Sequence, residues 1–398
     1  MSRLLYVIAG EESGDILGGR LMTALAARDP EIRFAGIGGA RMQAAGLVQP
    51  LFPMRELSLM GLAEVVPSLL RLMRRLDETA ADIAAKAPAA LVSIDAPSFT
   101  LRVAKRVHGT VPVIHYVAPQ VWAWRRHRVR KVARVVDRLL CLLPFEPPFF
   151  QAAGLDARFV GHPVLESGMD RGDGAKFRAA HGLAPDQPLV AVLPGSRGGE
   201  VARHLPVILE CLRRVGRPGL GVVVPGVAGV AGRLRAASWP VPAIVVEGEG
   251  ARADALAAAT CALCKSGTAT LEVALAGCPM LVLYRVNPLT ATIARRLITV
   301  RFASLVNLLE DRAVAPEFLQ ERCTPELLAP ALAALLEDPA ARAAQRAGFR
   351  NALSKLAAPG GEVPSAAAAG AVLALLASRT MGLRALYDRE ANPIGMRD

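Results

Sequence analysis

Short runs of consecutive apolar residues alternate along the chain with polar turns and with longer segments of helical spacing. Such runs are typical of parallel strands that are buried on both faces of a sheet. The pattern predicts strands at 4–9, 34–37, 89–94, 113–117, 139–143, 189–193, 220–224, 243–246, 262–264 and 280–284. The alternation therefore predicts an α/β protein, in which the region from Glu317 onward is helical.

The strand pattern is interrupted once, near the middle of the chain. Gly161-His162-Pro163 and the polar stretch 168–174 are typical of a domain boundary, and His162 is predicted to be a hinge or rim residue. A chain of 398 residues also exceeds one ordinary hydrophobic core. We therefore expect two doubly wound domains with a cleft between them, at 1–165 and 185–355, followed by a helical tail at 356–398.

Charge restricts the partners that the protein can have. The formal net charge is +12 at pH 7, which favours nucleic acid, an anionic membrane surface or phosphorylated small molecules. Six cysteines lie mostly within apolar runs, and the Cys261/Cys264 pair lacks a second ligand pair for zinc. The cysteines are therefore interpreted as buried thiols in a reducing cytoplasm.

The ends of the chain bear on its location. The first apolar run ends after Ala9 at acidic residues, without the pattern of a signal peptide. The late apolar run at 366–377 is shorter than the roughly 20 residues that a membrane-spanning helix needs. A soluble or peripheral protein is expected.

Two turns in the second half have the composition of phosphate-binding loops. Gly195-Ser196-Arg197 follows a strand, where glycine lets the backbone approach a ligand and arginine can bind a phosphate. Ser266-Gly267-Thr268 also follows a strand and precedes a helix that carries Glu272, whose carboxylate could accept hydrogen bonds from ribose hydroxyls. An ordinary helix cap with a first-turn glutamate is the alternative for the second turn.

Acidic residues follow two strands of the first half. Gly10 to Asp15 follows the strand at 4–9, and Asp95 follows the strand at 89–94. An aspartate after a strand is often a helix N-cap, but ligands of open parallel sheets bind at the carboxyl ends of strands, which makes a catalytic Asp95 the second alternative.

Two segments combine apolar or aromatic residues with arginines. Residues 57–76 form either a core-facing helix with a basic outer face or an interfacial segment that enters lipid. Residues 122–131 carry tryptophans among cations, which suits phosphate headgroups, single-stranded nucleic acid or a solvated helix face. Asn307 lies in an apolar context, so its amide is either satisfied by the backbone or directed at a ligand.

Six stretches, in order along the chain to about Cys323, together resemble the lipid-A-disaccharide synthase family. They are Ile8–Asp15, Ser93–Pro97, His115–Arg125, Leu193–Arg197, Ser266–Glu272 and Ser304–Leu309. The resemblance implies an inverting glycosyltransferase of GT-B architecture. It would join UDP-2,3-diacylglucosamine to 2,3-diacylglucosamine 1-phosphate and give UDP and the β-1,6-linked lipid A disaccharide 1-phosphate.

The resemblance also implies roles for residues. Asp95 is expected to be the general base, and Asn307 matches an essential asparagine. The remaining expected site residues are, for the acceptor, Glu11, Ser13, Gly14 and Asp15; for the nucleotide, Gly195, Ser196, Arg197, Ser266, Gly267, Thr268 and Glu272; and for membrane or acyl chains, Leu69, Leu70, Arg71, Met73, Arg74, Arg75, Trp122 and Trp124.

Partners and location follow from the same resemblance. We expect no metal or other cofactor, no nucleic acid, and a position on the inner face of the cytoplasmic membrane. The tail at 356–398 has two alternatives, packing back on the N-terminal domain or exchange between the subunits of a homodimer, since exchange of C-terminal segments is known in the family. The rival hypotheses are another GT-B transferase of UDP-amino sugars, a UDP-N-acetylglucosamine epimerase, and a basic RNA-binding protein.

Overall fold

The computed structural model describes residues 3–58, 65–121, 128–226, 228–287 and 300–391, with the backbone alone for 58, 65–69, 228 and 380–391. The chain divides into two compact units. The N-terminal unit comprises Met1–Pro163 and Ala357–Asp398, and the C-terminal unit comprises Val164–Leu356.

A parallel sheet of seven strands, in the order β3-β2-β1-β4-β5-β6-β7, is the centre of the N-terminal unit. Its strands are β1 (Leu4–Ala9), β2 (Arg33–Ile37), β3 (Leu47–Pro50), β4 (Ala90–Ile94), β5 (Val113–Tyr116), β6 (Arg138–Cys141) and β7 (Asp156–Phe159). The helices before the domain boundary are α1 (Glu12–Arg28), α2 (Ala40–Ala44), α3 (Arg55–Ser58), α4 (Val65–Lys86), α5 (Pro97–Val107), α6 (Val129–Ala133) and α7 (Pro147–Gln151).

The C-terminal unit contains a second parallel sheet, with six strands in the order β10-β9-β8-β11-β12-β13. Its strands are β8 (Leu189–Leu193), β9 (Gly221–Pro225), β10 (Ala243–Val246), β11 (Cys261–Lys265), β12 (Met280–Tyr284) and β13 (Glu317–Leu319). The helices are α8 (Gly174–Ala180), α9 (Gly198–Val215), α10 (Ala228–Arg235), α11 (Glu249–Ala258), α12 (Ala269–Leu275), α13 (Leu305–Glu310), α14 (Pro325–Glu337) and α15 (Pro339–Ser354).

The last helix, α16 (Pro364–Ala391), belongs to the N-terminal unit. Ala368, Ala369 and Val372 are buried in one apolar cluster with residues of α1 and of the sheet. The Arg138 guanidinium of β6 also donates a 2.7 Å hydrogen bond to the Ala371 carbonyl. In this structure the tail therefore covers one face of the N-terminal sheet.

All ten predicted strands are present, and the central ones are fully buried on both faces, as their continuous apolar runs predict. Strands β3, β7 and β13 lie at sheet edges and were not predicted. The prediction of helix from Glu317 is wrong for its first three residues, which form β13, and helix resumes at Pro325 in α14.

Candidate active site

The turn after β1 carries four residues predicted to bind the acceptor. Glu11 and Ser13 are exposed at the start of α1, and Gly14 is buried against the end of β1, where an added Cβ would lie 3.3 Å from the Ala9 Cβ. Because of that close approach, a larger residue at 14 would push α1 away from the strand. The exposed members of the turn are therefore Glu11 and Ser13, with Glu12 between them.

Asp15, the fourth of these residues, is used inside the fold. Its carboxylate is 5% exposed and accepts hydrogen bonds from the backbone N–H groups of Gly39 at 2.7 Å, Arg41 at 2.9 Å and Met42 at 3.0 Å. Backbone N–H groups at the start of a helix find no carbonyl partner within the helix, and a carboxylate satisfies them well. Asp15 thus caps α2 and ties it to α1, which differs from the expected contact with the acceptor.

Asp95 follows β4 in an unusual backbone conformation. Asp95 and Ala96 both have positive φ angles, 47° and 44°, which L-residues with side chains rarely adopt. The loop is held by the Asp95 N–H, which donates to the Tyr116 carbonyl at 2.9 Å, and by the Thr100 hydroxyl, which lies 2.7 Å from the Asp95 carbonyl and 3.0 Å from that of Ala96. Asp95 is half-buried at the carboxyl edge of the sheet.

The structure brings the Asp95 loop and the β1 turn together. Strands β1 and β4 are paired, with Ala9 opposite Ile94. A Cβ added at Gly10 would lie 2.6 Å from the Ala96 Cβ, closer than side chains tolerate. Glycine at position 10 therefore lets the turn that carries Glu11 and Ser13 lie directly against the loop that carries Asp95.

The Gly195 turn of the C-terminal unit links β8 to α9. Gly195 has a φ of 127°, and an added Cβ would lie 2.6 Å from the Glu200 side chain. Ser196 and Arg197 are exposed. The Ser196 N–H donates to Glu200 Oε2 at 3.1 Å, so the turn is fastened to the first turn of its own helix.

The Ser266 turn links β11 to α12. The Ser266 hydroxyl is nearly buried and donates to the Ala303 carbonyl at 2.7 Å, and the Thr270 hydroxyl donates to the Gly267 carbonyl at 2.7 Å. Gly267 has a φ of 145°, which favours glycine. Thr268 is exposed at the N-cap position of α12 but makes no side-chain capping bond, which departs from the ordinary-cap alternative.

Glu272 lies in the first turn of α12, as in the ordinary-cap alternative, and forms an ion pair with Arg252 of α11. The carboxylate is 24% exposed. The Arg252 guanidinium therefore fixes the orientation of the Glu272 carboxylate. Because a carboxylate has two oxygens, it can accept further hydrogen bonds beside this ion pair. Arg252 was not predicted from the sequence, where nothing distinguishes it from other surface arginines.

Asn307 is fully buried in α13, and its amide is satisfied within the fold. Its oxygen accepts from the N–H groups of Val314 at 2.8 Å and Ala315 at 2.9 Å, and its nitrogen donates to the Ala315 carbonyl and to Glu317, both at 2.8 Å. Of the two alternatives for Asn307, the structure has the backbone-satisfied one.

Glu317 extends this network towards the Ser266 turn. Its carboxylate accepts from the N–H groups of Ala303 and Ser304, both at 2.9 Å. Since the Ala303 carbonyl accepts from Ser266, Asn307 and Glu317 hold the segment on which the Ser266 turn rests. Glu317 was missed because it was assigned to a helix.

The segment predicted to contact lipid is described in part. Leu70, Arg71, Met73 and Arg74 are exposed on α4, with Leu70 71% and Met73 45% exposed. For Leu69 the backbone alone is described, and Trp122 and Trp124 lie outside the described residues.

Arg75 departs from the prediction for this segment. Its guanidinium bonds to Glu56 at 2.7 Å and Glu78 at 2.6 Å and lies 4.4 Å from the centre of the Phe52 ring. Arg75 therefore joins α4 to α3 within the unit.

Three buried histidines have lowered pKa values. Burial alone lowers the pKa of His115 and of His162 to about 4. The pKa of His204 is also lowered, chiefly by burial. Of the two alternatives for His162, the rim is excluded because the residue is 5% exposed, while its place next to the division between the units at Pro163 agrees with a hinge residue.

The cysteines and the search for metal and membrane features bear on the remaining predictions. All six cysteines are buried free thiols, as predicted, and burial raises their pKa values. Among the described residues, no cluster of three His, Cys, Asp or Glu side chains has metal-binding geometry. In the same part of the chain, no helix is both long and apolar enough to cross a membrane.

Comparison with known proteins agrees with these features. The family model described as lipid-A-disaccharide synthetase matches residues 5–367. A lipid-A-disaccharide synthase of Rhodospirillum centenum is 50% identical over 389 residues, which cover 96% of each chain.

Solved structures of low sequence identity share the fold. The first is a UDP-N-acetylglucosamine 2-epimerase of Listeria monocytogenes described as putative, with a TM-score of 0.60, 13% identity and coverage of 96% of this chain and 98% of that one. The second is a spinosyn forosaminyltransferase, with a TM-score of 0.60, 17% identity and coverage of 94% and 99%. These likenesses confirm the predicted pair of Rossmann-like sheets in a GT-B architecture. Since the family model spans most of the sequence and close relatives share half of its residues, the chain belongs to the lipid-A-disaccharide synthase family.

Proposed function

We propose that the chain transfers the diacylglucosamine of UDP-2,3-diacylglucosamine to 2,3-diacylglucosamine 1-phosphate, with Asp95 as general base and UDP on the C-terminal unit. The observation that carries the proposal is the Asp95 loop. A carboxylate is held there in a strained backbone, at a sheet edge where ligands of parallel sheets bind, beside the exposed Glu11 and Ser13.

The proposed reaction is a single displacement. The 6-hydroxyl oxygen of the acceptor attacks the anomeric carbon of the donor, and its proton passes to the Asp95 carboxylate. The bond from the anomeric carbon to the diphosphate oxygen breaks on the opposite side, so UDP leaves with both bonding electrons and the configuration is inverted.

The departing diphosphate gains negative charge, which the C-terminal unit can stabilise. Arg197 is exposed beside the Gly195 turn, and the Ser266 turn opens onto the amino end of α12. Glu272, fixed by Arg252, would accept hydrogen bonds from the ribose hydroxyls. In this mechanism, the chain's own cations and N–H groups provide the positive charge.

Asp95→Asn tests the base directly. The substitution keeps the size of the side chain but removes the proton acceptor, so we expect disaccharide formation to fall by roughly 10²- to 10⁴-fold. UDP affinity should stay unchanged. Asp77→Asn is the matched control, because Asp77 is an exposed carboxylate of the same unit paired with Arg106. Full turnover by the Asp95 variant would reassign the base.

The substrates also separate this function from its rivals. UDP release that requires the acylated acceptor is expected for the transferase. UDP-sugar conversion without any acceptor would favour an epimerase. RNA binding without UDP affinity would favour the basic RNA-binding protein.

Because both proposed substrates carry acyl chains, the reaction is expected at a membrane surface. The exposed Leu70 and Met73 alternate with Arg71 and Arg74, which suits acyl chains and anionic headgroups respectively. We place this face against the inner surface of the cytoplasmic membrane and regard a homodimer through the tail helix as part of the same proposal. Changing Arg71 and Arg74 to Ser should weaken binding to liposomes that contain phosphatidylglycerol. Unchanged binding and unchanged activity on lipid substrates would contradict the membrane assignment.

A further inference from the structure

Two side chains on one face of α9 reach the ends of three strands. Glu200 and His204 are four residues apart and therefore lie one above the other on the helix. Neither was predicted to belong to the site. The Glu200 carboxylate accepts from the Ser196 N–H after β8, and its other oxygen lies 2.9 Å from Lys265 Nζ at the end of β11.

His204 makes the corresponding links one turn further along. Its Nδ1 lies 2.9 Å from the Pro194 carbonyl after β8, and its Nε2 accepts a 3.0 Å hydrogen bond from the Arg285 N–H after β12. A carbonyl only accepts and an amide N–H only donates, so the proton of a neutral ring must be on Nδ1. His204 therefore needs one defined tautomer to hold both segments.

These links are well placed to control the two turns. Strands β8, β11 and β12 are adjacent in the sheet, and their carboxyl ends lie at one edge. Glu200 also fills the space beside Gly195, and Lys265 Nζ would be 3.3 Å from a Cβ added at Gly267. The ion pair therefore lies directly against both turns.

Burial makes these contacts effective. His204 is fully buried, and the Glu200 and Lys265 side chains are 13% and 19% exposed. Burial tends to raise the pKa of Glu200, but Lys265 and the Ser196 N–H lower it overall, so the carboxylate stays charged. A charged, partly buried pair is screened less by solvent than a surface pair is.

We propose that three side chains position the binding site for the UDP diphosphate: the Glu200–Lys265 ion pair and His204. Together they set the spacing between the Gly195 turn, the Ser266 turn and the end of β12. The inference rests on the proposed function, because it assigns UDP to these turns. The three side chains act through the turns, and the diphosphate contacts the turns themselves.

The test compares UDP affinity of the full-length protein, measured by titration calorimetry, in Glu200→Gln, Lys265→Met and the double variant. A turn that moves loses hydrogen bonds to the charged diphosphate, each of which contributes roughly 10- to 100-fold to affinity, so we expect each single variant to lose between about 10- and 100-fold. Because the two residues act as one unit, the double variant should lose no more UDP affinity than the single variant with the larger loss. Glu210→Gln, an acid of the same helix paired with Arg213 and Arg214 at its far end, is the control and should bind UDP normally.

Kinetics and a conservative replacement separate positioning from general damage. In folded protein, we expect the KM for the UDP-sugar to rise while the KM for the acceptor stays unchanged. His204→Gln keeps one donor and one acceptor and should retain more UDP affinity than His204→Leu.

Three outcomes would overturn the inference. UDP affinity could be normal in all the Glu200, Lys265 and His204 variants. Lys265→Met could lose affinity while Glu200→Gln does not, which would make Lys265 a direct ligand of the diphosphate. A wild-type protein that does not bind UDP would overturn the proposed function first and this inference with it.

Discussion

Acid should destabilise the N-terminal unit through its two buried histidines. His115 is fully buried on β5, with Nδ1 2.8 Å from the Ser93 hydroxyl, and His162 lies near the end of the unit. Burial lowers the pKa of each to about 4, from an ordinary value near 6.5. Below pH 6.5 the unfolded chain therefore takes up protons that the folded unit does not, and stability falls with pH until both states are protonated near pH 4.

The size of the effect follows from that interval. Each pH unit between 6.5 and 4 costs about 1.4 kcal/mol per histidine, so the full loss is about 3 kcal/mol for each. At pH 5 the loss is about 2 kcal/mol for each residue and about 4 kcal/mol for the pair. A loss of this size is a large part of the stability of an ordinary domain.

His115→Leu isolates one of the two contributions. Among the described residues, His115 Nε2 has no hydrogen-bond partner, and the Ser93 hydroxyl, which loses its bond to Nδ1, keeps the Ile114 carbonyl at 3.3 Å, so an apolar side chain of similar size costs about 1 kcal/mol at pH 7. We expect the free energy of unfolding of the variant to fall by about 2 kcal/mol between pH 6.5 and 5, half of the wild-type loss.

Guanidinium titrations at a series of pH values measure this free energy. Pulsed hydrogen exchange reports β4 and β5 separately from the C-terminal unit. His108→Gln is the control, because His108 is exposed in the same unit. Parallel stability curves for wild type and His115→Leu would refute the reasoning.

Two further substitutions test the packing that supports the site. Asn307→Ala removes four hydrogen bonds and leaves the N–H groups of Val314 and Ala315 buried without their partner, so it should lower the free energy of unfolding by about 2–4 kcal/mol, measured by chemical denaturation. Gly36→Ala places a Cβ 2.0 Å from the Val7 carbonyl at a φ of 134°, so the variant should be destabilised by about 2 kcal/mol or more in a thermal melt, and a wild-type midpoint would contradict the assigned backbone.

The central strands could be predicted because burial on both faces forces a run of apolar residues. Three of the four strands at sheet edges, β3, β7 and β13, could not, whereas the edge strand β10 is a continuous apolar run and was predicted. Strand β3 has exposed residues in its middle and ends at a proline, and β7 begins with Asp156 and contains Arg158. A strand with one neighbour has an open side that can face water, so its sequence need not be a continuous apolar run.

Candidate site residues were harder to assign than strands, because their partners are distant in sequence. Asp15 was predicted to contact the acceptor, but its carboxylate is bound by backbone N–H groups 24 to 27 residues away. Asn307 shows the same difficulty on a shorter scale. A polar residue in an apolar context needs partners, but local sequence does not tell whether they come from the chain or from a ligand.

Asp95, the proposed base, lies on a loop whose backbone is held by its neighbours, so the fold sets its position. Two adjacent residues with positive φ cost on the order of 1 kcal/mol or more each, so the loop would relax if nothing held it. The Thr100 hydroxyl bonds to the carbonyls of both residues, the Tyr116 carbonyl binds the Asp95 N–H, and Ala96 packs against Gly10. These contacts come from α5, β5 and the β1 turn. A carboxylate on a backbone fixed by three elements needs little movement of the loop when the acceptor hydroxyl arrives, which favours efficient proton transfer. Because its backbone is held so firmly, Asp95→Asn should change the chemistry of the site while leaving its geometry in place.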